Sequence, residues 1–236
     1  MAQLAPMPLI AVNKTDLEPF GRTWTANHGA LSRTPPYSSG DLGKVFDTAV
    51  AKALAVMLGG LPIVVPNAND LIPQQADCVE LGPVRVIGGV RPQNFDVGYR
   101  PDGIRFAFDS KTLNDIKSVG KNWQNMVNDL ATEATTVHTR FPHAVVAFMV
   151  IIPSPCLTGS TRAAIIGTLE RLSRRTGIDG PNHMAEAIAL VLWEPSTGEV
   201  DLNVPDNTSP LRLHKFSEYI ETAYTNRYKG LPPHAS

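Results

Sequence analysis

NFDVGYRPDGIRFAFDSK, residues 94–111, decides how the chain is read. Two runs of alternating apolar and polar residues flank Arg100-Pro101-Asp102-Gly103. Proline presets φ at the second turn position, and Asp and Gly suit the next two, so the spacing predicts a β-hairpin with Pro101-Asp102 at its tip. Pairing Tyr99 with Ile104 sets Val97 across from Phe106 and Phe95 across from Phe108, which gathers every apolar pair on one face. The other face then carries Asp96, Gly98 and Arg100 on one strand and Arg105, Ala107, Asp109 and Lys111 on the next. In this register Asp96 faces Ala107 and is diagonal to Asp109, about 7–8 Å away at the backbone. Two short carboxylates at that separation can converge on one cation.

Two aspartates compete to partner the triplet Asp109-Ser110-Lys111. Asp102 follows a literal proline, yet it stands about 23 Å from Asp109 if the strand rises ~3.3 Å per residue. Asp96 shares a face with Asp109 and Lys111, so Asp96 is the expected chemical residue and Pro101-Asp102 a turn. A second Asp-x-Lys, Asp115-Ile116-Lys117, reads as part of a helix, where residues i and i+2 point apart. It is rejected as the site.

Outward from the hairpin, residues 41–57 place Leu42, Val45, Phe46, Ala49, Val50, Ala53, Leu54 and Met57 at helical spacing, with Asp41 as the expected N-cap and Gly59-Gly60 as the stop. Residues 61–82 read as an irregular connection and 84–90 as a strand. A polar helix is expected over about 112–139, and then a buried strand over 143–153, apolar almost throughout. Residues 160–175 read as a helix capped by Ser160. Strands follow over 185–195 and 198–204, and a terminal helix over 213–228 has Phe216, Tyr219, Ile220, Ala223 and Tyr224 on its apolar side. The first 40 residues look mostly irregular. The expectation is an α/β fold with a central mixed β-sheet flanked by helices. One domain spans residues 1–236, with a core over about 41–152, an N-terminal arm over 1–40 and a C-terminal elaboration over 153–236.

Composition narrows the function classes. The 236 residues are 43% hydrophobic and 18% charged, enough for a sizeable core and unlike a disordered chain. A net charge of -1 means that any nucleic-acid-binding surface must be local. Cys78 and Cys156 are far apart and imply neither a disulfide framework nor a thiolate metal site, which favours a reducing compartment. The N-terminal residues lack the pattern of a signal peptide, and the apolar run 144–152 is too short to span a bilayer. A cytoplasmic protein without a membrane partner is therefore expected. The histidines show no metal-ligand spacing, and His138 and His143 read as structural. No nucleophile elbow, P-loop or dinucleotide fingerprint is present, so no organic cofactor is expected.

The order helix, strand, hairpin with FDVGYR and FAFDSK, polar helix and buried strand resembles the core (αβββαβ) of the PD-(D/E)XK nuclease superfamily, which includes many type II restriction endonucleases. The resemblance covers roughly residues 41–152, and Phe95 stands where the family name has proline. It implies that Asp96 and Asp109 hold Mg²⁺, or Mn²⁺ in its place, with help from the main-chain carbonyl of Ser110. Lys111 would then position or activate the attacking water, or stabilise charge on the phosphate. Asp47 is a further candidate ligand by the same resemblance, its alternative being a surface acid on an amphipathic helix.

The implied activity is Mg²⁺-dependent hydrolysis of phosphodiester bonds in double-stranded DNA, as in a sequence-specific restriction endonuclease. Other nucleases of this fold acting in repair, recombination or mobile-element defence are the alternative, as is a non-catalytic nucleic-acid-binding module. Lys117, Lys121, Asn122 and Asn125, with Gln124, are candidate DNA contacts on the polar helix, against a plain solvated face. Residues 22–37 are a candidate DNA-contacting arm, and 170–175 either touch phosphate or form a helix C-terminal turn. A homodimer is expected, built on the aromatics of the terminal helix. The alternative is that this helix covers the sheet of its own chain.

Overall fold

The structure is a computed structural model and describes residues 3–234. Its centre is β5, Val145–Pro153, buried at every position as its near-continuous apolar sequence requires. A strand with no polar face needs layers on both sides. It lies between β4 (Phe106–Thr112) and β6 (Ala187–Glu194), parallel to both. Beyond β4 come β3 (Pro92–Tyr99) and β2 (Val79–Ile87), each antiparallel to its neighbour. The two-residue strands β1 (Ile63–Val64), parallel to β2, and β7 (Glu199–Val200), antiparallel to β6, complete a seven-stranded mixed sheet in sequential order.

Helices cover both faces. The first, α1 (Lys14–Ala26), precedes α2 (Ser39–Met57). The polar helix is α3 (Val119–Arg140), followed after β5 by α4 (Gly159–Leu172), and α5 (Leu213–Tyr228) closes the chain. Phe108 meets Phe216 of α5 edge to face, and a Cβ on Gly43 of α2 would stand 2.9 Å from Ser110 Oγ. Phe108 and Ser110 share strand parity, so α2 and α5 lie on one face. Lys111 has the opposite parity and reaches Glu133 of α3, which places α3, with α4 packed beside it, on the other. Among the described residues no helix is long and apolar enough to cross a membrane.

Several expectations are corrected. The hairpin register is shifted: Val97 pairs with Phe108 and Tyr99 with Phe106. The turn is longer than four residues because Ile104 is drawn into the core and Arg105 N donates to the Tyr99 carbonyl at 2.9 Å. A shift of two keeps parity at Val97 and Tyr99. Nearer the start of β3 the predicted alternation fails, because Gln93 bonds Glu133 of α3 while Asp96 meets Ser110 Oγ, beside a register shift in the neighbouring β2 ladder. The residue that caps α2 is Ser38. Its hydroxyl accepts from Asp41 N while Asp41 answers at N3, a capping box. The N-cap of α4 is Thr158 rather than Ser160.

Residues 1–40 contain α1, whose buried Leu17, Phe20, Gly21 and Trp24 recur at helical spacing. Trp24 Nε1 donates to the Asn114 carbonyl at 2.7 Å, and Leu31 N donates to Asn114 Oδ1 at 3.1 Å, so the 22–37 segment is fastened to the chain's own body at these two residues. Asp115-Ile116-Lys117 forms the turn before α3, not part of the helix, since Asp115 Oδ1 accepts from Lys117 N. In α5, Phe216 and Tyr224 are fully buried against the chain's own sheet, so two of the three aromatics expected at a dimer surface are core, and the third, Tyr219, is half-buried.

Candidate active site

The ladder between β3 and β4 ends at Val97 and Phe108. One step further along lie Asp96 on β3 and Asp109 on β4. Their carboxyls meet side chain to side chain, and Asp109 is only 7% exposed. Ser110 N and Oγ donate to Asp96 Oδ2 at 2.9 and 3.2 Å, which fixes that carboxyl against β4. Lys111 Nζ lies 2.5 Å from Asp109 Oδ2 and 2.8 Å from Glu133 Oε1. Asp96, Asp109, Ser110 and Lys111 are thus brought together as the sequence predicts. Ser110 meets Asp96 through its donors. Asp47 is 5% exposed, so the surface-acid alternative fails; α2 carries it to the same cluster, where its charge is felt by Asp96.

Electrostatics mark the cluster as short of positive charge. Burial, then the neighbouring Asp109, raises the Asp96 carboxyl well above the usual carboxylate range. Burial, then Asp96, does the same to Asp47, pushing it up to about 8. Asp109 is raised by burial, although its contacts with Asp96 and Lys111 pull the other way. Burial works against the Lys111 ammonium, but Asp109 and Glu133 outweigh it and raise its pKa. Like carboxyls crowded out of water either share a proton or take a cation. Asp47 Oδ1 and Glu133 Oε2 are buried with no hydrogen-bond partner.

These donors fit Mg²⁺. It takes hard oxygen ligands and is commonly held by one or two carboxylates plus substrate phosphate, the remaining positions being water. Asp96 and Asp109 are such a pair. Among the described residues no set of three His, Cys, Asp or Glu side chains already converges on a single point, so substrate and water would complete the shell. A cleft of about 470 Å³ lined by Lys44, Asp47, Thr48, Asn94 and Asp96 opens beside the pair.

Asp102 is elsewhere. It sits in the hairpin loop, 62% exposed at its side chain, and accepts from Arg105. A larger cleft of about 590 Å³ at that end has Asp102 as its sole acidic lining residue. Lys117, Lys121, Asn122 and Asn125 are all exposed, the last three on the first turns of α3. Arg175 is withdrawn from any phosphate role, being buried and bonded to Glu186, which also takes His138 and Arg227. His138 is structural as expected.

Glu133 escaped the sequence reading. Its signal was an acid among Met126, Leu130, Ala134 and Val137, on the buried stripe of a helix otherwise read for its polar face. No protein-family model, no curated protein and no solved structure matches the chain.

Proposed function

We propose that the chain is a Mg²⁺-dependent endonuclease of the PD-(D/E)XK kind. It hydrolyses phosphodiester bonds in duplex DNA as a sequence-specific type II restriction endonuclease. The observation that carries this reading is the contact between Asp96 and Asp109 on adjacent strands, with Lys111 Nζ seated on Asp109.

A bound Mg²⁺, or Mn²⁺, would lower the pKa of a coordinated water and offset the charge growing on the phosphate. Asp96 and Asp109 would hold the ion, with the Ser110 carbonyl and Asp47 as further ligands. Ser110, through its N–H and hydroxyl, keeps Asp96 from swinging away. The Lys111 ammonium faces the place where a phosphate oxygen would lie. Lys44 and Asn94 would line the approach of the backbone, and Lys117, Lys121, Asn122 and Asn125 would contact DNA from the start of α3. A palindromic site would be read by a two-fold dimer, formed through a surface other than the buried face of α5.

The test is incubation of the purified protein with Mg²⁺ and a long DNA of known sequence. Discrete fragments support the proposal, with EDTA abolishing them. A smear indicates a non-specific nuclease of the same chemistry, and intact DNA supports a binding module. Light scattering on the free protein and on the DNA complex tests the dimer.

A further inference from the structure

Lys111 ends on a flexible four-carbon stem, and something must decide where its ammonium points. Two acceptors from different layers do so: Asp109 Oδ2 at 2.5 Å on its own strand and Glu133 Oε1 at 2.8 Å on α3. Glu133 is only 3% exposed, and Gln93 Nε2 on β3 donates to the same Oε1 at 3.0 Å. The chain Gln93–Glu133–Lys111 thus ties three elements to one ammonium. The strand on the other side of Lys111, β5, offers no charged group at all.

We propose that Glu133 is a positioning residue for Lys111. It holds the ammonium so that two N–H bonds are occupied by Asp109 and Glu133 while the third is free to donate to a non-bridging phosphate oxygen. The inference rests on the nuclease reading of this site. An ammonium has three donors and no acceptor, so two fixed bonds determine the direction of the third. With Asp109 alone the head would pivot about a single contact, and Asp109 would keep Lys111 close without aiming it. Glu133 itself is buried on α3 and touches Lys111 and Gln93. The buried, unpartnered Oε2 argues against a merely structural tie, for which both oxygens would be satisfied.

The test uses Glu133→Gln, which keeps size and one acceptor but removes the charge. In the metal-free, ¹⁵N-labelled full chain, a side-chain ammonium signal that vanishes in Lys111→Ala identifies Lys111. The expected result is that Glu133→Gln loses this signal to solvent exchange. Its kcat for Mg²⁺-dependent DNA cleavage should fall roughly 10–100-fold, the loss typical when a group that orients a site residue is removed, with KM little changed. The double variant Lys111→Ala/Glu133→Gln should be no slower than Lys111→Ala, because Glu133 acts only through Lys111.

An unchanged ammonium signal, an unchanged kcat, or a double variant that multiplies the two single losses would overturn the inference. A parent protein that cuts no DNA overturns the nuclease reading instead, and the ammonium signal then decides separately whether Glu133 holds Lys111. Should Glu133→Gln fail to fold, Gln93→Met removes the donor that steadies Glu133 Oε1 and is expected to act in the same directions.

Discussion

Asp96, Asp109 and Asp47 pose an electrostatic problem that a cation would answer. All three carboxyls are raised by burial, and Asp47 and Asp96 are raised further by a neighbouring carboxyl of the trio. A carboxyl whose folded pKa exceeds its unfolded value of about 3.9 favours folding while protonated. That contribution is fully present below the unfolded pKa and is lost as pH rises through the folded one. The metal-free protein is therefore expected to melt progressively lower between about pH 4 and pH 8, the value to which Asp47 is pushed. A divalent cation should restore stability mainly at the alkaline end, since binding must displace protons at lower pH. Melting temperatures with Ca²⁺ and with EDTA at pH 5 and pH 8 check this, and an equal gain at both would contradict it. In EDTA at pH 8, Asp96→Asn should melt higher than the parent, because it removes one of the opposed charges.

The same residues show what the sequence made legible. Distance along the hairpin picked Asp96 over Asp102, although the two share strand parity, and the shifted register still leaves Asp96 bonded to Ser110 beside Asp109. Glu133 was not legible in the same way. An acid on a helix reads as solvated unless one knows which face is buried, and that depended on which sheet face α3 would cover.

At the scale of elements, α2 delivers Asp47 to the proposed site, so the stability of its start bears on that site. Ser38 accepts from Asp41 N at 3.2 Å, and Asp41 accepts in return from Ser38 N, also at 3.2 Å. Ser38→Ala should cost about 1 kcal/mol, as losing an N-cap usually does. In a domain of this size that is roughly 2–4 °C in melting temperature, measurable by circular dichroism. A loss below about half a degree would show that the box carries no stability.

From α2 to β5 the longer elements were readable from periodicity and turn residues, but the short β1 and the first half of β2 lie in the stretch read as irregular; the terminal helix was placed to the residue. The first helix, α1, was not, because Pro19 lies inside it and no side chain caps its start. Its signal was the spacing of Leu17, Phe20 and Trp24, outweighed by the Pro- and Thr-rich composition around them.

For the whole molecule, α5 is the element whose role changes most between sequence and structure. An amphipathic terminal helix has the same pattern whether it covers its own sheet or a partner, and only the packing distinguishes the two. Phe216 is fully buried beside Phe108. Phe216→Ala should therefore destabilise the chain by about 3–5 kcal/mol, as truncating a core aromatic does. Tyr219→Ala, at a half-buried position, should cost much less. Denaturant titration separates these outcomes, and equal losses would argue that Phe216 is not core.

The central claim is that Asp96 and Asp109, not the Asp102 that follows a literal proline, hold the reactive centre. The most direct measurement is the initial rate of Mg²⁺-dependent cleavage of one duplex DNA by the parent, Asp96→Asn and Asp102→Asn, with circular dichroism confirming that all three are folded. Asp96→Asn should fall by on the order of 10²–10³ or more, as when a preorganised charge is removed from a reacting centre. Asp102→Asn should cut at close to the parent rate, because it alters only an exposed turn and its ion pair with Arg105. Cleavage lost in Asp102→Asn and retained in Asp96→Asn would contradict the account.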